Sequence, residues 1–330
     1  MSKFHRFLLK RLVTAFVLTI AAVTIIFVVL RLAPGNPLTT LLATGNIDPQ
    51  TAAELRAQYG LDEPLHVQYF QYLTSLLTLQ FGVSLRTGQP VMELLGGRIM
   101  NSLIVLLPAL VTTAIVSTLA GFYAGWNRGG LFEKWSIVIT TVFRSTPIFI
   151  TAIFLLMIFA YGLDLLPVFG MRSPAASPTT WQEKFLSVDF LQHYILPFTA
   201  AALYYSGDFL LLARNGVVEK TGSEFLKLHK AKGMSDTEQL YRAGRNSLLP
   251  IVTYFALRTG MIFQGLVLLE VVFAWPGVGR ELVLAIQRAD YTTVQAAVFI
   301  MAVAVILGNL MADILYGYLD PTVSVGEATA

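Results

Sequence analysis

Long apolar stretches separated by short polar segments dominate the hydrophobic pattern of this 330-residue chain. A hydrocarbon core about 30 Å thick requires roughly 20 apolar residues in helical form. Six stretches meet this requirement, so we predict an all-α integral membrane protein with six transmembrane helices. The predicted spans are residues 12–31, 102–126, 135–162, 191–213, 248–269 and 292–319.

The first span has the polarity of a signal peptide, because four basic residues lie between Lys3 and Arg11. Its apolar run is longer than the roughly 7–15 residues of a signal-peptide core, and the sequence after Arg31 has no clear A-x-A cleavage site. We therefore predict an uncleaved membrane anchor, with residues 1–11 as a cytoplasmic N-terminus.

Spans two to five each contain or adjoin a proline. A proline in a helix frees a backbone carbonyl, and lipid cannot supply the missing donor. Neighbouring helices must supply it instead, which predicts a packed bundle. The four prolines are Pro108, Pro147, Pro197 and Pro250.

The distribution of basic residues predicts the orientation of the bundle. With the N-terminus inside, thirteen of the 23 lysine and arginine residues lie in cytoplasmic segments, although the outside segments are longer in total. This asymmetry places both termini in the cytoplasm. With this orientation, the predicted spans divide the rest of the chain into an extracytoplasmic segment, residues 32–98, and a core transmembrane domain, residues 99–330.

The extracytoplasmic segment is too long for a simple loop, and its sequence predicts structure. Asp48-Pro49 is typical of a helix start, and Gly60 stands where that helix would end. A second stretch, Leu65 to Leu77, mixes aromatic and polar residues in the manner of an interfacial helix.

Composition agrees with a membrane protein and excludes several kinds of site. Hydrophobic residues make up 55% of the chain and charged residues 13%, with mean hydropathy +0.65. The formal net charge of +3 gives no reason to expect nucleic-acid binding. Cysteine is absent, and the four histidines are widely spaced, so we expect no disulfide, no thiol nucleophile and no metal site.

Known catalytic motifs are missing from the sequence. No Walker A pattern occurs, so any ATP would be hydrolysed by another subunit. G-x-S-x-G and H-E-x-x-H are absent too, which leaves transport as the main hypothesis. A self-sufficient secondary transporter would predict internal repeats, and an intramembrane enzyme would predict a paired nucleophile and base; we find neither.

The cytoplasmic segment 214–247 has the pattern of a short capped helix. Ser223 is a plausible N-cap, Glu224 suits the positive end of the helix dipole, and Gly233 suits the left-handed position after the last turn. The alternative is a basic loop that serves only the positive-inside rule. Three lysines near the helix end fit both interpretations: Lys227, Lys230 and Lys232.

Motifs in this segment and elsewhere resemble the binding-protein-dependent ABC permeases of the dipeptide, oligopeptide and nickel class. In the predicted coupling loop the matching residues are Glu219, Glu224-Phe225, Ala231-Lys232-Gly233, Ser235, Arg245-Asn246 and Leu249-Pro250. The other matches are Pro34 to Pro37, Gly60 to Pro64, Phe81 to Ser84, Gly88 to Val91, Glu270 to Arg280, Asp290-Tyr291 and Leu319 to Pro321. The stretch Trp275-Pro276-Gly277-Val278-Gly279-Arg280 is the most specific of them.

The resemblance implies the type I ABC importer permease fold and a role in importing dipeptides or oligopeptides across the cytoplasmic membrane. Import of glutathione or nickel chelates by the same machinery is the alternative. It also implies a homologous second permease as heterodimer partner, two cytoplasmic ATPase subunits that carry ATP and Mg²⁺, and an extracytoplasmic substrate-binding protein. This chain would bind no cofactor itself. Leu228 and His229 depart from the small residues usual in the coupling helix.

Charges inside predicted spans cost roughly 2.5–3.5 kcal/mol each on insertion scales, so each needs a reason. Arg144 and Arg258 reach about mid-membrane, and the resemblance does not explain them. They either line the path and attract a substrate carboxylate or form structural ion pairs with Asp208 or with the second permease.

The end of span five offers a further candidate site. Glu270 either shapes an outer gate or caps the turn at Trp275, Pro276 and Gly277. Beyond this turn, residues 281–289 have the pattern of an amphipathic interfacial helix that anchors to lipid or docks the binding protein.

Overall fold

The computed structural model describes residues 3–32, 50, 62–84, 86–262 and 266–319. Within these ranges the chain is helical, with one isolated β-bridge between Val83 and Pro90. Three predicted features lie outside the described residues: the motif at 34–37, the helix at 48–60 except for Gln50, and the motif's end at 320–321. They stay predictions.

Thirteen α-helices and one π-helical segment follow one another along the described residues, and their bounds are as follows. They are α1 Lys3–Leu32, α2 Leu65–Leu77, α3 Val91–Trp126, α4 Leu131–Ser145, α5 Ile148–Leu155 with a π-helical continuation Leu156–Gly162, α6 Trp181–Leu186, α7 Val188–Thr221, α8 Glu224–Ala231, α9 Asp236–Asn246, α10 Leu248–Gly260, α11 Leu266–Val272, α12 Val278–Gln287 and α13 Tyr291–Leu319.

Four of these helices are long and apolar enough to cross a membrane: α1, α3, α7 and α13. They contain predicted spans one, two, four and six, and α3 begins at Val91, eleven residues before the predicted start of span two. The third predicted span is not straight, because α4 and α5 meet at an angle of 108°. The break falls at Pro147, whose ring prevents the helix from continuing.

The fifth predicted span is also interrupted. Its helix α10 ends at Gly260, and α11 begins only at Leu266. Neither helix alone has the length of a span, so the count of six spans stays a prediction.

Helices α3 and α7 form the centre of the bundle. Gly121 and Gly125 of α3 let the backbones approach closely, because a Cβ at either position would overlap α7 at Leu210 or Arg214. The carbonyl of Ile104, which Pro108 frees, accepts a hydrogen bond of 3.1 Å from the Tyr194 hydroxyl of α7. A neighbouring helix thus supplies the donor, as the proline pattern predicted.

Helices α1 and α13 lie together at the periphery and are joined by an ion pair. Arg11 and Asp313 approach to 3.1 Å. The predicted helix at Leu65–Leu77 is present as α2 with the same bounds, and it packs on α1: the hydroxyls of Thr24 and Tyr69 are 2.7 Å apart. Most of the α1 side chains that the structure describes are exposed to the surroundings, as expected for a helix in lipid.

Candidate functional site

The capped helix predicted in segment 214–247 is present as α8. Gly233 has φ +75°, and the N–H groups of Gly233 and Met234 donate to the carbonyls of Lys230 and His229. This is a Schellman motif, which confirms the predicted role of Gly233. Ser223 occupies the N-cap position of α8, as predicted, but its hydroxyl donates to the Lys220 carbonyl and accepts no N–H of the helix.

Helix α8 has one buried and one exposed face. Leu226 and His229 point inward, and the His229 ring contacts the ring of Phe225 at 4.2 Å between centroids. Leu228 is 54% exposed. Of the two residues that depart from the family pattern, only Leu228 therefore lies on the outer face. The exposed face otherwise carries Glu224, Phe225, Lys227, Lys230, Ala231 and Lys232.

A second helix, α9, follows α8 and was not predicted. Its signal in the sequence is Ser235 three residues before Glu238, the spacing of a capping box, and the Ser235 hydroxyl accepts the Glu238 N–H at 3.3 Å. We refer to α8, α9 and the residues between them, Glu224–Asn246, as the α8–α9 hairpin.

Two glycines hold this hairpin against the central helices. A Cβ at Gly244 of α9 would come within 2.8 Å of the Phe122 ring of α3. Another at Gly216 of α7 would come within 2.7 Å of Ser247, which follows α9. Such close contacts transmit displacement, because packed groups cannot compress. The hairpin and the residue that follows it are therefore closely packed against α3 and α7.

An ion pair fixes the same end of the bundle. Glu133, at the start of α4, lies 2.5 Å from Arg214 of α7 and accepts the N–H of Gly129 at 2.5 Å. Glu219, the first residue of the predicted coupling set, lies on the last turns of α7 with its side chain 72% exposed and pairs with Lys220.

The three charged residues predicted inside the membrane meet in one cluster. One carboxylate oxygen of Asp208 forms an ion pair with the Arg144 Nε at 2.7 Å, and the other accepts a hydrogen bond from Arg258 at 2.8 Å. Tyr254 donates to the same oxygen as Arg258, and the Arg258 Nε donates to the Tyr254 hydroxyl at 2.5 Å. We call Arg144, Asp208, Tyr254 and Arg258 the arginine cluster.

Close helix crossings bring the cluster together. A Cβ at Gly207 would lie 2.9 Å from the Thr140 carbonyl and 3.0 Å from the Arg144 Cβ, so glycine lets α4 approach α7 beside Asp208. On the other side, Gly260 and Gly308 let α10 and α13 touch, two residues after Arg258. None of these crossings could be derived from the sequence, since they depend on which helices become neighbours.

The cluster differs in exposure from one member to the next. Asp208 has only 11% of its side chain exposed and Arg258 has 25%, whereas Arg144 has 51%. The predicted ion pair with Asp208 is therefore present for both arginines, and the Arg144 side chain is the more exposed of the two.

Glu270 lies in a second polar group, at the predicted outer end. It is 1% exposed, and its carboxylate accepts the Ser102 hydroxyl at 2.6 Å and the Arg280 N–H at 2.9 Å. Ser102 in turn accepts the Val278 N–H at 3.0 Å. These contacts cap the turn before α12, so of the two predicted roles the geometry supports turn capping. We call Ser102, Glu270 and residues 275–280 the Glu270 brace.

The side chains of the turn fix it to α3. The Trp275 indole N–H donates to the Asn101 carbonyl at 2.9 Å, and the Asn101 amide donates to the Pro276 carbonyl at 2.9 Å. Gly277 has an ordinary extended backbone, so space rather than conformation requires glycine: a Cβ would overlap the Glu270 carboxylate.

Helix α12 is the amphipathic helix predicted after the turn, and it packs on protein along its buried face. Val278, Glu281 and Ala285 are buried, and Glu281 pairs with Arg98 of α3 at 3.1 Å. Ile286 is 58% exposed on the opposite side. The buried face thus contacts the bundle, and neither lipid anchoring nor docking of a binding protein is tested by these contacts.

The structure also joins two motifs that the sequence presented separately. Ser84 of the motif at 81–84 donates to Asp290 at 2.5 Å, and Asp290 accepts the Thr293 hydroxyl at the start of α13. Pairing over 206 positions leaves no signal in a single sequence.

An open groove of about 770 Å³ lies between α3, α9 and α10. Its lining includes Val111, Ile115, Leu240, Leu248 and Val252 and none of the arginine cluster. A groove with such apolar walls is unsuited to a charged solute.

Two family models match this chain, one over its C-terminal two thirds and one over its N-terminal part. Residues 117–325 match a family described as "Binding-protein-dependent transport system inner membrane component". Residues 4–103 match a second model, "Binding-prot-dependent transport system membrane comp, N-term".

Curated relatives cover nearly the whole chain. The "Dipeptide transport system permease protein DppB" of Alkalihalophilus pseudofirmus is 32% identical over 96% of this chain and 98% of its own length. The protein of the same name from Escherichia coli K12 is 29% identical with the same coverage. The "Glutathione transport system permease protein GsiC" of Salmonella paratyphi A is 30% identical, again over 96% and 98%.

Proposed function

Because the chain belongs to the family of binding-protein-dependent transport system inner membrane components, we propose that it is a pore-forming permease subunit that imports short peptides. It works with a homologous second permease as a heterodimer, with two cytoplasmic ATPase subunits that bind ATP and Mg²⁺, and with an extracytoplasmic binding protein. Both termini lie in the cytoplasm. The chain itself carries out no covalent chemistry.

The observation that carries the proposal is the attachment of the α8–α9 hairpin to the central helices. Its outer face combines the exposed apolar side chains of Phe225 and Leu228 with three lysines. Such a face fits an apolar groove with an acidic rim on a partner protein.

The mechanism follows from this attachment. When ATP binding brings the two ATPase subunits together, they displace α8, and the contacts at Gly244 and Gly216 pass the displacement to α3 and α7. A rigid-body movement of this kind alternates the bundle between inward-open and outward-open states. The passage forms between the two permeases, since the described apolar groove does not suit a peptide.

Peptides are the proposed substrates because relatives similar over nearly the full length are named for dipeptide or glutathione transport. Glutathione is itself a tripeptide. Dipeptides and glutathione therefore both contain a peptide bond and a free carboxylate. A nickel chelate is the second candidate within the same machinery.

The deciding experiment is to purify the chain with its co-assembling subunits and measure ATP hydrolysis in proteoliposomes. We expect a dipeptide, added with the binding protein, to stimulate hydrolysis and to accumulate inside at the cost of ATP. Stimulation by a nickel chelate alone would replace peptides as the substrate class. If no ATPase subunit co-purifies and uptake follows an ion gradient, the chain is a secondary transporter instead.

The hairpin's role has its own test in Leu228→Asp. A carboxylate on the exposed face of α8 would have to be buried against the ATPase, so we expect loss of most co-purifying ATPase. Tyr241→Asp is the matched control, because Tyr241 is also exposed, at 66%, but lies on α9. Equal ATPase recovery in both variants and the wild type would contradict docking through α8.

A further inference from the structure

We infer that Arg144 binds the carboxylate of a peptide in transit, and that the arginine cluster is a carboxylate-recognition station on the translocation path. The inference rests on the proposed function and adds to it a contact with the substrate. Its chemical class of ligand is a carboxylate presented by a short peptide, such as its C-terminus.

The first argument is the geometry of the Arg144 guanidinium. Its Nε lies 2.7 Å from an Asp208 carboxylate oxygen, so the shortest contact of the ion pair is made by Nε and not by a terminal nitrogen. Within the described residues the terminal Nη1 and Nη2 groups make no hydrogen bond. These two nitrogens are the fork that binds a carboxylate through two parallel hydrogen bonds.

Arg258 is held differently, which separates the two arginines. Its Nε donates to Tyr254 and its Nη2 to Asp208, and its guanidinium lies 5.2 Å from the centroid of the Tyr254 ring. Arg258 and Tyr254 are therefore positioning residues. They fix Asp208, and Asp208 orients Arg144.

The second argument is the charge of the cluster. Two guanidinium groups share one carboxylate, so the cluster carries a formal charge of +1. Arginine stays protonated in proteins, so this charge cannot be relieved by losing a proton. An anion that joins the cluster would neutralise this charge.

The third argument is exposure at membrane depth. Arg144 lies thirteen residues from the start of α4, or about 20 Å along the helix axis, and half of its side chain is exposed. An arginine at this depth does not face lipid, since charged side chains in spans face a packed interior or an aqueous cavity. The exposed half therefore faces water in the path or a group from the second permease.

The first experiment measures uptake by the reconstituted complex with binding protein and ATP. The probes are L-alanyl-L-alanine and its C-terminal amide. Each variant is compared with the wild type for the same probe, so that any preference of the binding protein for one of the two probes cancels. We expect Arg144→Gln to lower dipeptide uptake at least tenfold and amide uptake less than twofold. Arg144→Lys keeps the charge without the fork, and we expect an intermediate loss.

A structural role is separated from recognition by two further readouts on the same preparations. Recovery of assembled complex should stay within twofold of the wild type in Arg144→Gln, and its midpoint temperature of thermal unfolding should stay within a few degrees. Arg258→Gln is the comparison variant, and we expect it to lower dipeptide uptake less than Arg144→Gln does, because the fork stays in place and only its support through Asp208 is weakened.

The second experiment tests whether position 144 faces water. The chain has no cysteine, so Arg144→Cys introduces a single thiol. We expect membrane-impermeant methanethiosulfonate reagents to label it in proteoliposomes, as read by the mass of this chain. Ile139→Cys is the control, since Ile139 is similarly exposed, at 49%, but lies about 140° around the same helix.

The outcomes distinguish failure of the proposed function from failure of the inference about Arg144. If the wild-type complex imports no peptide, the proposed function fails whatever Arg144 does. If the wild type imports dipeptide but Arg144→Gln matches it within twofold, or loses dipeptide and amide uptake equally, the inference fails alone. Absence of labelling at position 144 also overturns it, because the side chain then faces lipid or the partner. Should the wild type not import the amide, Arg144→Lys decides: dipeptide uptake above that of Arg144→Gln supports the inference, and equal loss in both variants overturns it.

Discussion

The Glu270 brace and the arginine cluster both place charge inside the bundle, but they differ in how exposed the charged groups are and in how many of their polar atoms have partners. In the brace, a carboxylate that is 1% exposed has donors at both oxygens. In the cluster, one carboxylate serves two guanidinium groups, and one of these is half exposed with its fork unused.

This difference indicates two functions for buried charge. A polar group with all its partners present rigidifies its surroundings, because removing any one of them leaves another unsatisfied. A group with spare donors and access to its surroundings retains binding capacity. The brace therefore holds the bundle together at the predicted outer end, and the cluster is available for a solute.

The largest expected effect is that of Glu270→Ala. It removes a buried side chain and leaves the Arg280 N–H without its acceptor, so we expect a loss of about 3–5 kcal/mol in stability. The measurement is the midpoint temperature of thermal unfolding of the purified complex in detergent. Glu93→Ala is the control, since Glu93 is exposed on the first turn of α3; an equal shift in both would show that the brace is not stabilising.

Gly277→Ala tests the brace from the other side. The new methyl group would overlap the Glu270 carboxylate, and relieving the overlap should cost about 1–3 kcal/mol. Gly97→Ala on α3 is the matched control, because its Cβ would have nothing within 4 Å. We expect that control to keep or raise the midpoint temperature, since alanine favours helix. No difference between the two variants would mean that the turn adapts.

In the arginine cluster, Arg258→Gln should cost about 1–2 kcal/mol. Breaking a fully buried pair costs about 3–5 kcal/mol, but here Arg144 still neutralises Asp208. The control is Arg242→Gln, which breaks an exposed pair with Glu238 on α9 and should cost less than about 0.5 kcal/mol. The midpoint temperatures of thermal unfolding test this prediction. Equal values for Arg258→Gln and Arg242→Gln would show that Arg258 is not a positioning residue.

The smallest effect on stability is expected for Arg144→Gln, at less than about 1 kcal/mol, because half of its side chain is solvated in any case. This variant is the sharpest test of the comparison. It should unfold within a few degrees of the wild type while its dipeptide uptake falls. A loss of stability as large as that of Glu270→Ala would place Arg144 among the structural residues and erase the contrast.

Much of the helical framework could be predicted from the sequence. The bounds of α2 and the Schellman motif at Gly233 follow from local patterns, and so do the cores of the four long helices. These features depend on residues within a few positions of one another, where apolar spacing and cap chemistry act directly. The breaks at Pro147 and Gly260 were visible as residues but not as a bend or a helix end.

The candidate sites could be predicted only in part. Arg144, Asp208 and Arg258 stood out because charge is costly in lipid, and the same argument named Asp208 as their partner. Tyr254 and Ser102 could not be found, because a lone tyrosine or serine in an apolar run carries no signal of its role. Helix α9 was missed although Ser235 and Glu238 have the spacing of a capping box.

By itself, the sequence determined that this chain inhabits a membrane, where the cores of its four long helices lie, and which side chains carry charge that lipid would reject. Those properties follow from hydration and from local backbone geometry. Only the tertiary structure decided that Glu270 is enclosed and Arg144 is not. That outcome depends on glycine contacts between α4 and α7 and between α10 and α13, and on the hydroxyl of Ser102 across 168 positions of the chain. Contacts of this kind form between distant segments, so their energy belongs to the assembled bundle rather than to any one stretch of sequence.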